Sequence, residues 1–362
     1  MTNNHSCSCC GGCSPKSELN EKVVPKEVLE YLRPLSEFNP LRYDATYFLK
    51  KDGSFVFSEG YAHPPRGVYG KVIYYPSDKG ITTIFNQMYG NTTKRYDDKG
   101  ELTLIPHDEQ LQLQISLAPN TDRSQLPPFA ELRMQFSFDD FAGYFDHRHS
   151  LALGCRNYPM IGEAYHKVLA ELGLPPERVG CTGSLMFGNF EGAHDDMDLV
   201  FYGTVAENRA LLSQIRDITR DNPDRRVIEF GKYWPIRFYI DDIMVCSFFA
   251  YNDPSEIPLK DFTMEVLGEQ VVLEGRVDDD THAIFMPPIL GLDQVKIDGK
   301  PAADTKLVIY DGSMRGDFFQ GDKIKARVRK VGIRGNCPMN NEEVYLLVIS
   351  KDVIEVDAPR DF

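Results

Sequence analysis

Gly180–Gly203 reads GCTGSLMFGNFEGAHDDMDLVFYG. Val179–Thr182 has the apolar character of a short strand, and Gly183-Ser184 follows as a tight turn leading into a helical turn, Leu185–Phe187. A glycine-rich loop comes next, and then three acids, Asp195, Asp196 and Asp198, run into the apolar strand Leu199–Tyr202, which Gly203 ends. Side chains alternate along an extended segment, so Asp196 and Asp198 share one side and Asp195 faces away. Two carboxylates at that spacing suit divalent cations with a preference for oxygen, Mg²⁺ above all. The neighbouring turn offers free backbone N–H groups of the kind that hold phosphate. Acids that bind metal beside a phosphate cradle suit in-line phosphoryl or nucleotidyl transfer with two metal ions.

Working outward, Tyr158–Leu172 carries Ile161, Tyr165, Val168, Leu169 and Leu172 at helical spacing and closes on Gly173 and Pro175. Glu207–Arg220 repeats the pattern through Leu211, Leu212, Ile215 and Ile218, while Val227–Phe230, Ile236–Ile240 and Ile243–Phe249 read as strands. Upstream, Phe55–Phe57, Val72–Tyr75 and Leu111–Leu117 read as strand-like runs separated by turn signals such as Lys51-Asp52-Gly53. A short helix is expected over Pro25–Leu35. Downstream, Val271–Leu273, Lys306–Tyr310, Lys323–Val331 and Val344–Ile349 predict strands and a small barrel, of OB-like type. The organisation expected is a disordered Cys-rich tail over 1–22, a β-rich domain over 23–148, an α/β catalytic unit over 149–255 and a β-barrel-like domain over 264–362.

Gly183-Ser184 followed at a distance by Asp196-Met197-Asp198-Leu199-Val200 resembles the nucleotidyltransferase superfamily, with its DNA polymerase β-like fold. The wider segment, with Phe201-Tyr202-Gly203, is similar to the uncharacterised predicted nucleotidyltransferases of archaea and bacteria. Gly60-Tyr61-Ala62-His63-Pro64-Pro65, Ala283–Pro288 and Tyr310-Asp311-Gly312 resemble their flanking parts. The resemblance implies an α+β fold: a mixed sheet with helices, flanked by the two β-rich parts. It also implies that Gly183 and Ser184 hold a triphosphate such as ATP and that Asp196 and Asp198 hold two Mg²⁺. A third carboxylate is implied on a later strand, for which Asp241 and Asp242 are available. Asp242 is preferred because it precedes the apolar run Ile243-Met244-Val245, although Asp241-Asp242 equally suits a hairpin turn.

Other features have simpler readings beside functional ones. His5, Cys7, Cys9, Cys10 and Cys13 suit a soft metal or form an exposed tail without fixed role. Lys323, Lys325, Arg327 and Arg329 alternate with Ile324, Ala326 and Val328, giving a basic face suited to a polyanion or simply to solvent. His147-Arg148-His149 reads as a surface loop, or as a metal-binding or acid–base pair. Arg225, Arg226 and Lys232 lie near the site in sequence and suit either triphosphate or a helix terminus.

The chain has 362 residues, 54 acidic against 40 basic, for a net charge of -14. That balance argues against extended DNA binding, which depends on phosphate neutralisation. The longest strongly apolar run, Ile243–Tyr251, is far shorter than the roughly 20 residues of a bilayer helix. With no apolar leader near Met1, cytoplasmic residence is the default expectation. The expected activity is transfer of a nucleoside monophosphate from an NTP to an acceptor hydroxyl of RNA, protein or a small molecule. Two rival readings stand beside it: an inactive nucleotide- or RNA-binding module, and a metal-handling protein built on the cysteine tail.

Overall fold

A computed structural model describes residues 24–190, 196–229 and 231–358. The cysteine tail and Asp195 lie outside the described residues. Among the described residues, strands form four sheets of eight, five, seven and two strands, and α-helix is confined to four segments. The polymerase β-like α/β core expected from the motif is therefore corrected: the molecule is mostly β, with one sheet curled into a half-barrel. The motif reports a local turn and strand. The layers around it are set by the apolar runs of the flanking segments, and these fold as sheet.

The central five-stranded sheet runs in the order Val179–Cys181, Met197–Gly203, Ile243–Tyr251, Lys232–Ile240 and Arg226–Glu229. Only the pair Met197–Gly203 with Ile243–Tyr251 is parallel. The two predicted helices form at Pro159–Leu172 and Val205–Asp221. Pro159 opens the first and Gly173, at φ 62°, closes it in the left-handed conformation that glycine adopts without steric cost. Thr204 and Glu207 make a capping box at the start of the second. Buried Ile161, Val168 and Leu172 on one helix and Leu211 and Ile215 on the other pack on the face of the sheet carrying Leu199, Phe201, Val245 and Phe249.

Two further large sheets flank this unit. Residues 32–145 build the eight-stranded sheet, and Phe262–Asp279 through Val353–Asp357 build the half-barrel. In the latter, Phe262–Asp279 pairs with both Ile289–Ile297 and Lys323–Gly335, which bends the sheet around. Hydrophobic cores run across these boundaries. Phe55, Phe145, Phe187, Phe201 and Phe249 belong to one cluster, and Phe129, Met286 and Tyr310 to another. Beneath the junction, buried Arg315 pairs at 3.0 Å with both Asp44 and Glu59, and Arg133 reaches Glu59 at 3.2 Å.

Two local expectations are also corrected. Leu111–Leu117 lies within the helix His107–Leu117, which begins after Pro106 with Asp108 and Glu109 in its first turn. Its apolar residues alternate with glutamine, a good helix former, and buried Gln114 bonds both backbone groups of Val72 at 2.8 Å. The first helix shortens to a 3₁₀ segment, Lys26–Tyr31, because the chain extends at Leu32–Arg33 to pair with Phe145 and Tyr144. No helix among the described residues is long and apolar enough to cross a membrane.

Candidate functional site

The strand Met197–Gly203 places the acid pair. Met197 is fully buried in the core, while Asp196 and Asp198, one residue to either side, both line a cleft. This is the alternation read from the sequence. Backbone pairing fixes their neighbours. Thr182 N–H donates to the carbonyl of Asp198 at 2.9 Å, bringing the Gly183-Ser184 turn beside the pair. Across the parallel ladder Asp198 stands opposite Cys246, and Cys246 stands opposite Arg237 on the next strand.

Gly183 is required at the turn on two grounds. Its φ of 62° and ψ of -155° belong to a region that is essentially glycine's alone. A Cβ there would also stand 1.8 Å from Oδ2 of Asp198. The short 3₁₀ segment Ser184–Phe187 follows with no side-chain cap, and the Met186 N–H donates to the Gly183 carbonyl at 3.2 Å. Phe187 anchors the segment in the eight-stranded sheet: its ring centroid lies 4.5 Å from that of Phe55 and 5.4 Å from that of Tyr47.

Burial and the neighbouring Asp196 push the carboxyl of Asp198 up to about 8, against a weaker downward pull from Arg237 and Lys94. The Sγ of Cys246 donates to Oδ2 of Asp196 at 3.5 Å. Burial, then Asp198 and Asp196, hold that thiol well above its ordinary range, so it is protonated and a donor. Arg237 is steadied by Glu229 at 2.6 Å and by the face of Trp234, 3.8 Å from its guanidinium carbon.

The cleft has a volume of about 780 Å³ and lies where the three large sheets meet. Tyr47 and Tyr74 come from the eight-stranded sheet, Lys94 from the hairpin of Lys94–Tyr96 and Leu102–Leu104, Trp234 and Arg237 from the central sheet, and Arg315 from the half-barrel side. Sequence reading missed these groups. The one available signal was the alternation in Ile236–Ile240: Ile236, Phe238 and Ile240 are buried, which turns Arg237 to the other face.

Of the predicted site residues, Gly183, Ser184, Asp196 and Asp198 are brought together. Asp242 is not. Asp241-Asp242 forms the exposed hairpin turn between Ile240 and Ile243, with Asp241 in the left-handed region at φ 49° and ion-paired with Lys167. Asp242 is four residues along the chain from Cys246, about 13 Å in extended chain. On the strand that follows Asp242 it is Cys246 that stands opposite Asp198, and among the described residues only Asp196, Asp198 and Cys246 converge.

The other candidates are structural. Arg225 donates to both oxygens of Glu171 and to the Tyr239 carbonyl, Arg226 donates to the Thr219 carbonyl at the end of its helix, and Lys232 pairs with Asp317 at 2.6 Å. His147 is fully buried at the start of the helix His147–Asn157 and shares a hydrogen bond with the Tyr202 hydroxyl. In the basic strip, Ile324, Ala326 and Val328 are buried as expected, but Lys323 and Lys325 are paired with Asp357 and Glu274.

The donor chemistry fits one hard divalent cation. Mg²⁺ takes one or two carboxylates and completes its shell with water and substrate phosphate, which Asp196 and Asp198 beside the turn allow. The thiol of Cys246 is not a magnesium ligand. A second ion on the acceptor side has no third carboxylate among the described residues to hold it. No protein-family model, curated protein or solved structure matches the chain.

Proposed function

We propose that the cleft binds a nucleoside triphosphate with Mg²⁺ and transfers its nucleotidyl group to an acceptor hydroxyl. The observation that carries this reading is the contact of the Gly183 backbone with the carboxylate of Asp198, with Asp196 beside it. That contact puts the Gly183-Ser184 turn and two hard ligands on one wall of a cleft roomy enough for a nucleotide and an acceptor. In the reaction the bond from the α-phosphorus to pyrophosphate is exchanged for one to the acceptor oxygen, whose proton passes to solvent. Asp196 and Asp198 would hold the cation, which when bound screens their charge and polarises the phosphates. Ser184 and the amides after Gly183 orient the triphosphate. Arg237 and Lys94, whose charge reaches Asp198, would offset the negative charge that gathers on a departing pyrophosphate.

One observation favours a second reading. Cys246, rather than a third carboxylate, stands opposite Asp198, which suits a module that binds the nucleotide or RNA without turnover. Incubation of the full chain with α-labelled NTPs, Mg²⁺ and total cellular RNA or protein separates the two. Label transfer that is lost in Asp198→Asn supports the enzyme. Nucleotide binding without transfer supports the module, and neither binding nor transfer contradicts both.

A further inference from the structure

Asp196, Asp198 and Cys246 present donor atoms that all lie within 4.8 Å of one another. Donors bound to one tetrahedral Zn²⁺ at their usual 2.0–2.3 Å stand roughly 3.3–3.8 Å apart, so side-chain movement of about an ångström brings the three onto a single ion. They come from adjacent strands locked in register, Asp198 opposite Cys246, so this convergence is built into the sheet. Among the described residues no direct ion pair involves Asp196 or Asp198: Arg237 pairs with Glu229, and it and Lys94 act on Asp198 only at longer range. Two carboxylates side by side in a cleft suit a bound cation.

The thiol decides which cation. A site of oxygen donors alone suits Mg²⁺, whereas a sulfur among them favours softer ions. Cys246 is 1% exposed, lines the cleft and already donates to Asp196, so its sulfur is held beside both acids. We propose that a borderline-soft divalent cation, Zn²⁺ above all, takes this site with Cys246 as third ligand and so displaces Mg²⁺. On binding, the thiol proton passes to solvent and the thiolate, with Asp196 and Asp198, completes three protein ligands, leaving a fourth position open to water or a phosphate oxygen. The inference rests on the reading of Asp196 and Asp198 as cation ligands. It makes zinc an inhibitor of magnesium-dependent transfer.

Co²⁺ serves as the spectroscopic probe for zinc. The full chain is used with Cys7, Cys9, Cys10 and Cys13 replaced by serine, so that the tail's thiols do not contribute. The expected result is a thiolate-to-cobalt charge-transfer band that disappears in Cys246→Ser and in Asp198→Asn, with Co²⁺ held roughly tenfold or more weakly by Cys246→Ser. Zinc X-ray absorption on the tail-substituted chain needs no change at the site and should read one sulfur at about 2.3 Å. A band that survives in Cys246→Ser, or zinc surrounded only by oxygen and nitrogen, overturns the proposal. A sulfur-ligated zinc in a chain that transfers no label with Mg²⁺ upholds this site and counts against the transferase reading.

Discussion

Gly183 and Asp198 touch so closely that a single added carbon on the glycine would stand 1.8 Å from a carboxylate oxygen. Turn and acid are thus one unit, and Gly183→Ala attacks both members. The backbone conformation alone costs about 1–3 kcal/mol in any residue but glycine, and the clash drives Asp198 from its place. Denaturant unfolding of Gly183→Ala should show a loss of at least that order, and Mg²⁺-dependent nucleotide binding should vanish. Wild-type affinity in this variant would contradict the geometry.

Phe187 ties the turn to the eight-stranded sheet through Tyr47, Phe55, Tyr74 and Phe145. Phe187→Ala empties a fully buried site and should destabilise the protein by about 3–5 kcal/mol. Calorimetry checks the stability. Nucleotide affinity, measured below the new Tm, should fall too, because the turn loses its anchor. Phe187→Leu should recover most of both.

Arg315 joins the half-barrel side to the eight-stranded sheet by its pairs with Asp44 and Glu59. Removing one partner of a buried ion pair leaves the others uncompensated, at about 3–5 kcal/mol. Arg315→Ala should therefore shift the urea midpoint far more than Lys323→Ala, whose pair with Asp357 is exposed.

Burial holds the imidazole of His147 down to about 4, against an ordinary value of 6.5. The unfolded chain therefore takes up the proton first. The stability from keeping this ring neutral is complete above pH 6.5, falls as the pH drops, and flattens below about 4. The full swing is about 3 kcal/mol. His63, also held down to about 4 by burial, adds in the same direction. Denaturation midpoints measured from pH 8 to pH 4 should decline, and His147→Asn should decline less steeply.

The acid pair and its turn were legible because their evidence is local. Alternation about Met197 needs no knowledge of the rest of the chain, and the glycine–serine step marks its own bend. Cys246 was not legible, since only the parallel register of two strands nearly fifty residues apart places it opposite Asp198. Asp242 failed for a related reason: Asp241-Asp242 carries both a strand-entry and a turn reading, and the pairing of Ile240 with Ile243 selects the turn. Leu111–Leu117 shows alternation misleading by itself, because Pro106 and two acids start a helix there. At the level of the fold, a motif of some two dozen residues could not specify the sheets that enclose it. Those are written in apolar runs such as Phe55–Phe57 and Lys323–Val331, whose partners are distant in sequence.

The central claim is that Gly183-Ser184 and Asp196/Asp198 close around one magnesium-bound triphosphate. A crystal structure of the full chain with Mg²⁺ and a non-hydrolysable NTP tests it most directly. The account predicts one ion bridging Asp196, Asp198 and phosphate oxygens, with the phosphates against the amides that follow Gly183. A triphosphate bound elsewhere, or an ion that touches neither aspartate, would contradict it.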